Sequence, residues 1–503
     1  MQENSAGLKI TYAKNLDKYN FNLPITVPVD NNIHIKKILN IESYVFDDRL
    51  ECGNSKAVYT GKVGIKVLYL DQDNMAGTLT NDQSFSETIV DSSITSDCYI
   101  CNVNTSIQNN LISFDSNIKL SLEITLSNVL YLNMPMNANT NQFENMIVKK
   151  SEINTYTIHD HINTSFEYTT NLESKENLSK ILSYNAYFTP TNVTAENGYA
   201  VIEGKIYSTL IYECMKDEDS EILELTDFQN IKQELNLEKL EKDCVLDLNF
   251  SLDKSKEVIS SEVEDGTNEI TISHTIKVSG VSLNSISIDV IDDIYSVDND
   301  VDITLNTREY NKSVQCNSFS DDISSEVKLE SNEPAIDEII CNTNICAEIT
   351  NQYIKDENVY FEGIVTSDLI YIDENKERSS KTIEVPFVIN SKIKMDKIDS
   401  SHHSISITDC KVRAKRGTII DVQYSLSINF CAYIIDSKPM VDNITIGKPI
   451  EYGDIDYQIF LAKPNESIWE LCKRIHIHPD DLPKYNKDLP LIMNGGEKVI
   501  IKR

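Results

Sequence analysis

Apolar and polar residues alternate along much of this chain, the period of two that a half-buried β-strand requires. Ile118, Leu120, Leu122, Ile124 and Leu126 form one such run, and Ile420, Val422, Tyr424, Leu426, Ile428 and Phe430 form another. Between them Ile270, Ile272, Ile276 and Val278 are interrupted near Ser273 and His274, which predicts two shorter strands. After residue 456 the pattern changes. Ile468, Leu471, Cys472 and Ile475 fall at i, i+3, i+4 and i+7, one stripe of a helix, between two strand-like pieces, Tyr457–Leu461 and Lys498–Lys502.

The alternating runs belong to a repeat. Gly61 to Tyr69, Gly204 to Tyr212 and Gly363 to Tyr371 each read glycine, seven residues, tyrosine, with an aliphatic residue before the tyrosine. An apolar pair, Ile38-Leu39, Ile181-Leu182 and Ile339-Ile340, precedes each glycine at nearly constant distance. These landmarks predict a mainly β chain of three tandem antiparallel β-sandwich-like modules with local helical insertions. The modules are placed at 22–148, 165–298 and 325–450, with an N-terminal segment 1–21, linkers 149–164 and 299–324, and a small domain 454–503. The glycines read as bulges or close backbone approaches at strand starts, and the tyrosines as buried rings capping a sheet edge.

A length of 503 residues suits several domains of ~100–200 residues each. Net charge is −33, all of it in residues 1–453, because acids and bases balance from Asp454 onward. Such a surface repels nucleic acid and anionic headgroups, so neither nucleic-acid binding nor membrane insertion is expected. No apolar run approaches the ~18–20 residues of a membrane helix. The start of the chain lacks the pattern of a secretory signal, so a cytoplasmic location is expected. Eleven cysteines, an odd number widely spread, predict reduced and mostly buried thiols.

Phosphate-loop, nucleophile-elbow and metalloprotease motifs are absent from the sequence, which predicts no enzyme activity, no catalytic residue and no cofactor. Cys98/Cys101, Cys341/Cys346, His159/His161, His402/His403 and His476/His478 each stand alone, whereas a structural zinc site takes four ligands, so no metal is expected. Cys472 and His476, four apart, read as a buried thiol beside a rim histidine. Ser467 and Glu470 form a capping box that starts the tail helix, and His478–Leu482 reads as the start of a second helix with Pro479 in its first turn.

The span from Tyr457 to Arg503 resembles a LysM domain, a βααβ module that binds N-acetylglucosamine-containing glycans. The matching landmarks are Tyr457-x-Ile459, Pro464 through Trp469, Leu482-x3-Asn486, and Gly496 followed by Val499-Ile500. It departs from the family in having Asn465-Glu466-Ser467 after the proline, and Pro483 inside the second helix; Asn465 can supply the left-handed turn. By resemblance, the binding groove would lie between Asn465, Glu466, Ser467, Ile468 and Trp469 on one side and Leu489, Leu491 and Ile492 on the other. Trp469 reads equally as an exposed anchor or as packing. With this tail, the three modules resemble the SPOCS domains of spore coat and envelope morphogenetic proteins of spore-forming Firmicutes. That resemblance implies a non-enzymatic scaffold in the mother cell at the forespore surface, docking the coat-basement ATPase SpoIVA. The alternative is a protein that binds peptidoglycan- or chitin-type glycan, with the modules as a spacer or adhesin stalk.

Overall fold

A computed structural model describes residues 9–92, 94, 99–114, 116–135, 146–176, 178–216, 219–256, 258–264, 267–330, 333–452 and 457–502. It is mainly β, built of small antiparallel sheets, with short helices near the C-terminus. In a first unit β1 (Lys9–Asn15) and β2 (Tyr19–Pro28) form an interrupted outer strand. A meander of β3 (Ile35–Gly53), β4 (Lys56–Asp71) and β5 (Ala76–Val90) follows, then a second outer strand, β6 (Tyr99–Ser113). The closing strand β7 (Asn117–Pro135) pairs with β1 and β2 on one edge and β6 on the other.

The same path recurs twice. A second unit has outer strand β8 (Met146–Ser174), a meander of β9 (Leu178–Glu196), β10 (Tyr199–Lys216) and β11 (Asp219–Asn236), and a second outer strand split into β12 (Val245–Leu252) and β13 (Val258–Glu264). It closes on β14 (Thr267–Ser296). A third has β15 (Asn299–Lys328), a meander of β16 (Ile336–Lys355), β17 (Asn358–Asp373) and β18 (Arg378–Lys394), then β19 (Ser400–Lys415) and closing strand β20 (Ile419–Pro449).

The period-two runs lie on the closing strands and explain the layering. Ile118, Leu120, Leu122, Ile124 and Leu126 of β7 are buried against Tyr59, Val63, Val67 and Phe85 of the first meander. The run from Ile420 to Phe430 on β20 packs likewise on Phe361, Val365 and Phe387. Each such side chain contributes about 1.5–3 kcal/mol on burial, and a one-residue slip would turn the whole run outward. In the second unit the two strands expected around Ser273 are one strand, β14. His274 occupies an inward position of the same alternation, within 3.0 Å of both Thr170 Oγ1 and Tyr184 OH. Burial lowers its pKa to about 4, so a neutral ring fills the place of an aliphatic one.

Gly61, Gly204 and Gly363 sit inside the central strands β4, β10 and β17, not at strand starts, and each faces a bulge in the first meander strand. A phenylalanine ring covers each one. A Cβ on Gly363 would lie 2.1 Å from the Glu348 carbonyl oxygen and 2.4 Å from Phe387, whereas one on Gly61 would meet the tip of the Phe85 ring at 2.9 Å. Gly363→Ala is therefore expected to cost about 3 kcal/mol and Gly61→Ala about 1 kcal/mol, since a ring can move and a ladder carbonyl cannot. Denaturant midpoints check the order; equal losses would contradict it. Tyr69, Tyr212 and Tyr371 are buried, on central strands and not at sheet edges.

The apolar landmarks bring the units together. Leu39, Leu182 and Ile340 are each bulged out of the ladder of the first meander strand. With Leu68, Ile211 and Ile370, the residues before the tyrosines, they form one cluster drawn from all three units. The meander edges close cyclically, β5 against β9, β11 against β16, and β18 against β3. Lys37 Nζ crosses the last seam to Ser379 Oγ at 2.8 Å. Three residues beyond the bulges stand Glu42, Asn185 and Thr343, all buried. Lys254, from a 3-10 turn (Lys254–Lys256), donates to Glu42 and, at 2.8 Å, to Asn185, whose amide reaches Thr343 Oγ1 at 3.3 Å. One lysine thus plugs the point where the units meet.

The stretches 149–164 and 299–324, expected as linkers, lie within β8 and β15. At about 3.3 Å per residue, these 29- and 30-residue strands run about 100 Å. Their outer halves, with those of β14 and β20, form two-stranded ribbons that pack through Ile153, Val290, Tyr310 and Met440, and farther out through Ile291, Ile294 and Val441. Together they make a stem. The expected N-terminal segment 1–21 contributes β1 and the start of β2, so its described part belongs to the first unit. Before the tail, the expected helical insertions reduce, among the described residues, to the 3-10 turn. Cys316 and Cys431, direct partners across β15 and β20, are joined in a disulfide, which corrects the expectation of reduced thiols throughout. The pair is set by ladder register, which cysteine spacing does not reveal.

Candidate functional site

In the tail, β21 (Tyr457–Leu461) pairs antiparallel with β22 (Lys498–Lys502), and α1 (Ile468–Ile475) and α2 (Leu482–Tyr485) lie between them in sequence. Ser467 caps α1: its Oγ accepts from Glu470 N at 3.2 Å, while the Glu470 carboxylate accepts from Ser467 N at 2.8 Å. Leu471, Cys472 and Ile475 are buried with Val499 and Ile501. The second helix starts at Leu482, not near Pro479, and Pro483 sits in its first turn, where a missing N–H is tolerated. Asn486 bonds both the N–H and the C=O of Ile500, at 2.8 and 2.6 Å, closing the edge of β22 as a further strand would.

The stem seats this tail along α1. Trp469 meets Tyr295 edge to face at 5.0 Å, and its Nε1 donates to Asp293 at 2.7 Å. Lys473 pairs with the same carboxylate, Tyr295 OH donates to the Ile477 carbonyl at 2.8 Å, and His476 Nδ1 lies 3.1 Å from the Ser296 carbonyl. Trp469 is therefore packing between tail and stem and not a free anchor. Cys472 is fully buried, and desolvation pushes its thiol up to about 11, well away from a nucleophile's range.

The two loops expected to flank a groove are zipped together. Asn465, at φ 60° as a left-handed turn requires, donates to the Met493 carbonyl, Ile468 N donates to the Leu491 carbonyl, and Ser467 bridges Ile492. Glu466 is buried on Arg474, which holds its carboxyl below the usual range. Ile468 and Leu489 pack partly on the tail core. Of the eight groove residues, Asn465, Leu491 and Ile492 are exposed, and the two apolar ones stand out at 81% and 62% exposure.

A second surface was not foreseen. Tyr457, Ile459 and Leu461 point outward from β21, beside Ile500 of β22 and with Tyr485 edge-on to Tyr457. The sequence signal was there: apolar residues hold seven of the ten positions of these two strands, consecutive ones among them, and cannot all be covered when the helices lie on one face. Seven of the seventeen large apolar side chains exposed among the described residues fall in this tail, about a tenth of the chain.

The remaining candidates are dispersed. His159 lies against the Lys239 carbonyl at 2.7 Å, His402 against Asp247 at 3.4 Å, and His478 against Asp480 at 3.5 Å. Burial lowers the pKa values of His161 and His403. Cys341 is buried and Cys346 exposed, and Cys98 lies outside the described residues. Among the described residues no group of three or more His, Cys, Asp or Glu is placed to hold a metal ion. A cleft of about 620 Å³ between β12 and the β15–β20 ribbon is lined by uncharged residues, including Asn192, Gln315, Asn317 and Phe250. No helix among the described residues is long and apolar enough to cross a membrane. Comparison with protein-family models, curated proteins and solved structures finds no match.

Proposed function

We propose that this chain is a non-enzymatic scaffold of spore envelope or coat assembly, in which three tandem SPOCS-like sandwich modules form one body that presents a LysM-like tail to a protein partner. In this reading it resembles SipL, a clostridial spore morphogenetic protein, and the resemblance points to the ATPase SpoIVA as the partner, met at the forespore surface. The observation that carries the reading is the crowding of exposed apolar side chains on the tail, since such patches mark interaction sites. Leu491, Ile492 and the outer face of β21 offer contact area with few hydrogen-bonding groups, which suits a protein surface better than sugar hydroxyls.

The βααβ order of the tail keeps a second reading, glycan binding with the modules as a stalk. A stalk separates its modules, whereas these three share one apolar cluster and one lysine plug.

Binding of purified SpoIVA to tail variants tests the docking surface. Leu491→Asp and Ile492→Asp are each expected to weaken binding at least ~10-fold, about 1.4 kcal/mol, with an unchanged unfolding midpoint, because neither side chain supports the tail core. Full affinity in both folded variants would remove this loop from the interface.

A further inference from the structure

We propose that the seam between the second and third units is a pH-responsive joint, held shut when Glu224 is protonated and donates to Asn342, and loosened when that carboxyl ionises. The three seams follow one plan, and one position in it carries different residues. Leu68, Ile211 and Ile370 face the shared cluster, and their partners on the neighbouring strands are Thr78, Glu224 and Ser380. Two seams place a small hydroxyl there; the second places a carboxyl.

Glu224 lines a cavity of about 230 Å³ together with Tyr207, Ile339, Asn342, Cys410 and Val412. Asn342 is buried, its backbone N–H donates to Glu224, and its Nδ2 donates to Cys410 Sγ at 3.1 Å and Tyr424 OH at 3.4 Å. Among the described residues its Oδ1 has no hydrogen-bond partner. A buried acceptor without a donor is costly. A neutral carboxyl resolves this, with its C=O accepting from the backbone N–H and its O–H supplying the missing donor. An ionised carboxyl has no proton to give and sets lone pairs against lone pairs.

The surroundings favour the neutral form. Tyr207 from β10, Cys341 from β16 and Cys410 from β19 are themselves pushed up by burial and stay uncharged. The other charged residues lining the cavity are Lys411 and Arg413 of β19, with Lys411 paired to Asp409 at 3.0 Å. Burial raises the Glu224 pKa from 4.5 to about 7, opposed by the Asn342 N–H. The closed seam therefore binds the proton more tightly than the open one. The joint is tightest below about pH 4.5, loosens as pH rises from there through about 7, and changes no further above that.

Hydrogen exchange of the full chain from pH 5 to pH 8, corrected for the intrinsic rate, tests the joint. Opening of β11 and β16 peptides should rise at least ~10-fold between pH 5 and 7.5 and then level off. Peptides of the seams β5–β9 and β18–β3 should not follow. Glu224→Gln keeps a donor for Asn342 Oδ1 and Glu224→Thr installs the first seam's residue, so both profiles should be flat. The same rise in either variant, or an equal rise at all three seams, would overturn the proposal.

Discussion

Lys254→Met is expected to lower the stability of the whole chain by about 3 kcal/mol, although it changes one residue of a 3-10 turn in the second unit. The variant strands Glu42, a buried carboxylate of the first unit, without its cation, and removes the donor that holds Asn185. Breaking a buried pair by deleting one partner costs about 3–5 kcal/mol, and the partly exposed lysine end places this case at the lower limit. Adding Glu42→Leu should recover more than half of the loss, because the remaining site is then apolar. Denaturant unfolding of the single and double variants measures both. Hydrogen exchange should rise in β3 and β16 as well as around residue 254; a change confined to the 3-10 turn would show that the lysine is not shared among the units.

Trp469→Ala should release the tail from the stem without unfolding either. It removes the edge-to-face contact with Tyr295 and the charged hydrogen bond to Asp293, together about 2–3 kcal/mol of seating energy. Proteolytic separation of the tail should accelerate ~30–150-fold. The capping box and the Leu471, Cys472 and Ile475 stripe remain, so the detached tail keeps its helical signal. Asp293→Asn, which weakens the Trp469 bond and the Lys473 pair together, should move in the same direction. Unchanged cleavage in both variants would mean that the seat carries no weight in solution.

Much of the β architecture was legible because burial on one face of a strand writes itself into alternate positions, as from Ile118 to Leu126. The repeat was legible for a related reason: the bulged Leu39, Leu182 and Ile340 and the residues before the tyrosines must all be apolar to meet in one cluster. Their shared destination was not legible, since an aliphatic residue facing its own sheet and one facing a neighbouring unit look identical in sequence. The stem strands were missed because a ribbon with both faces partly wet shows no clean alternation, as the mixed burial of β15 illustrates. Contacts across long separations left no trace either. Lys254 meets Glu42 at a separation of 212 residues and Trp469 meets Asp293 at 176. On the tail, the capping box and the left-handed Asn465 were legible from local chemistry, while the seating of Trp469 depended on the position of Tyr295.

Calorimetric titration of the full chain with purified SpoIVA and, separately, with N-acetylglucosamine oligomers tests the scaffold reading most directly. The account predicts saturable binding to the protein, weakened at least ~10-fold by Ile492→Asp, and no comparable heat from the oligomers. Tight oligomer binding with none to the protein would contradict it and make the tail a glycan receptor.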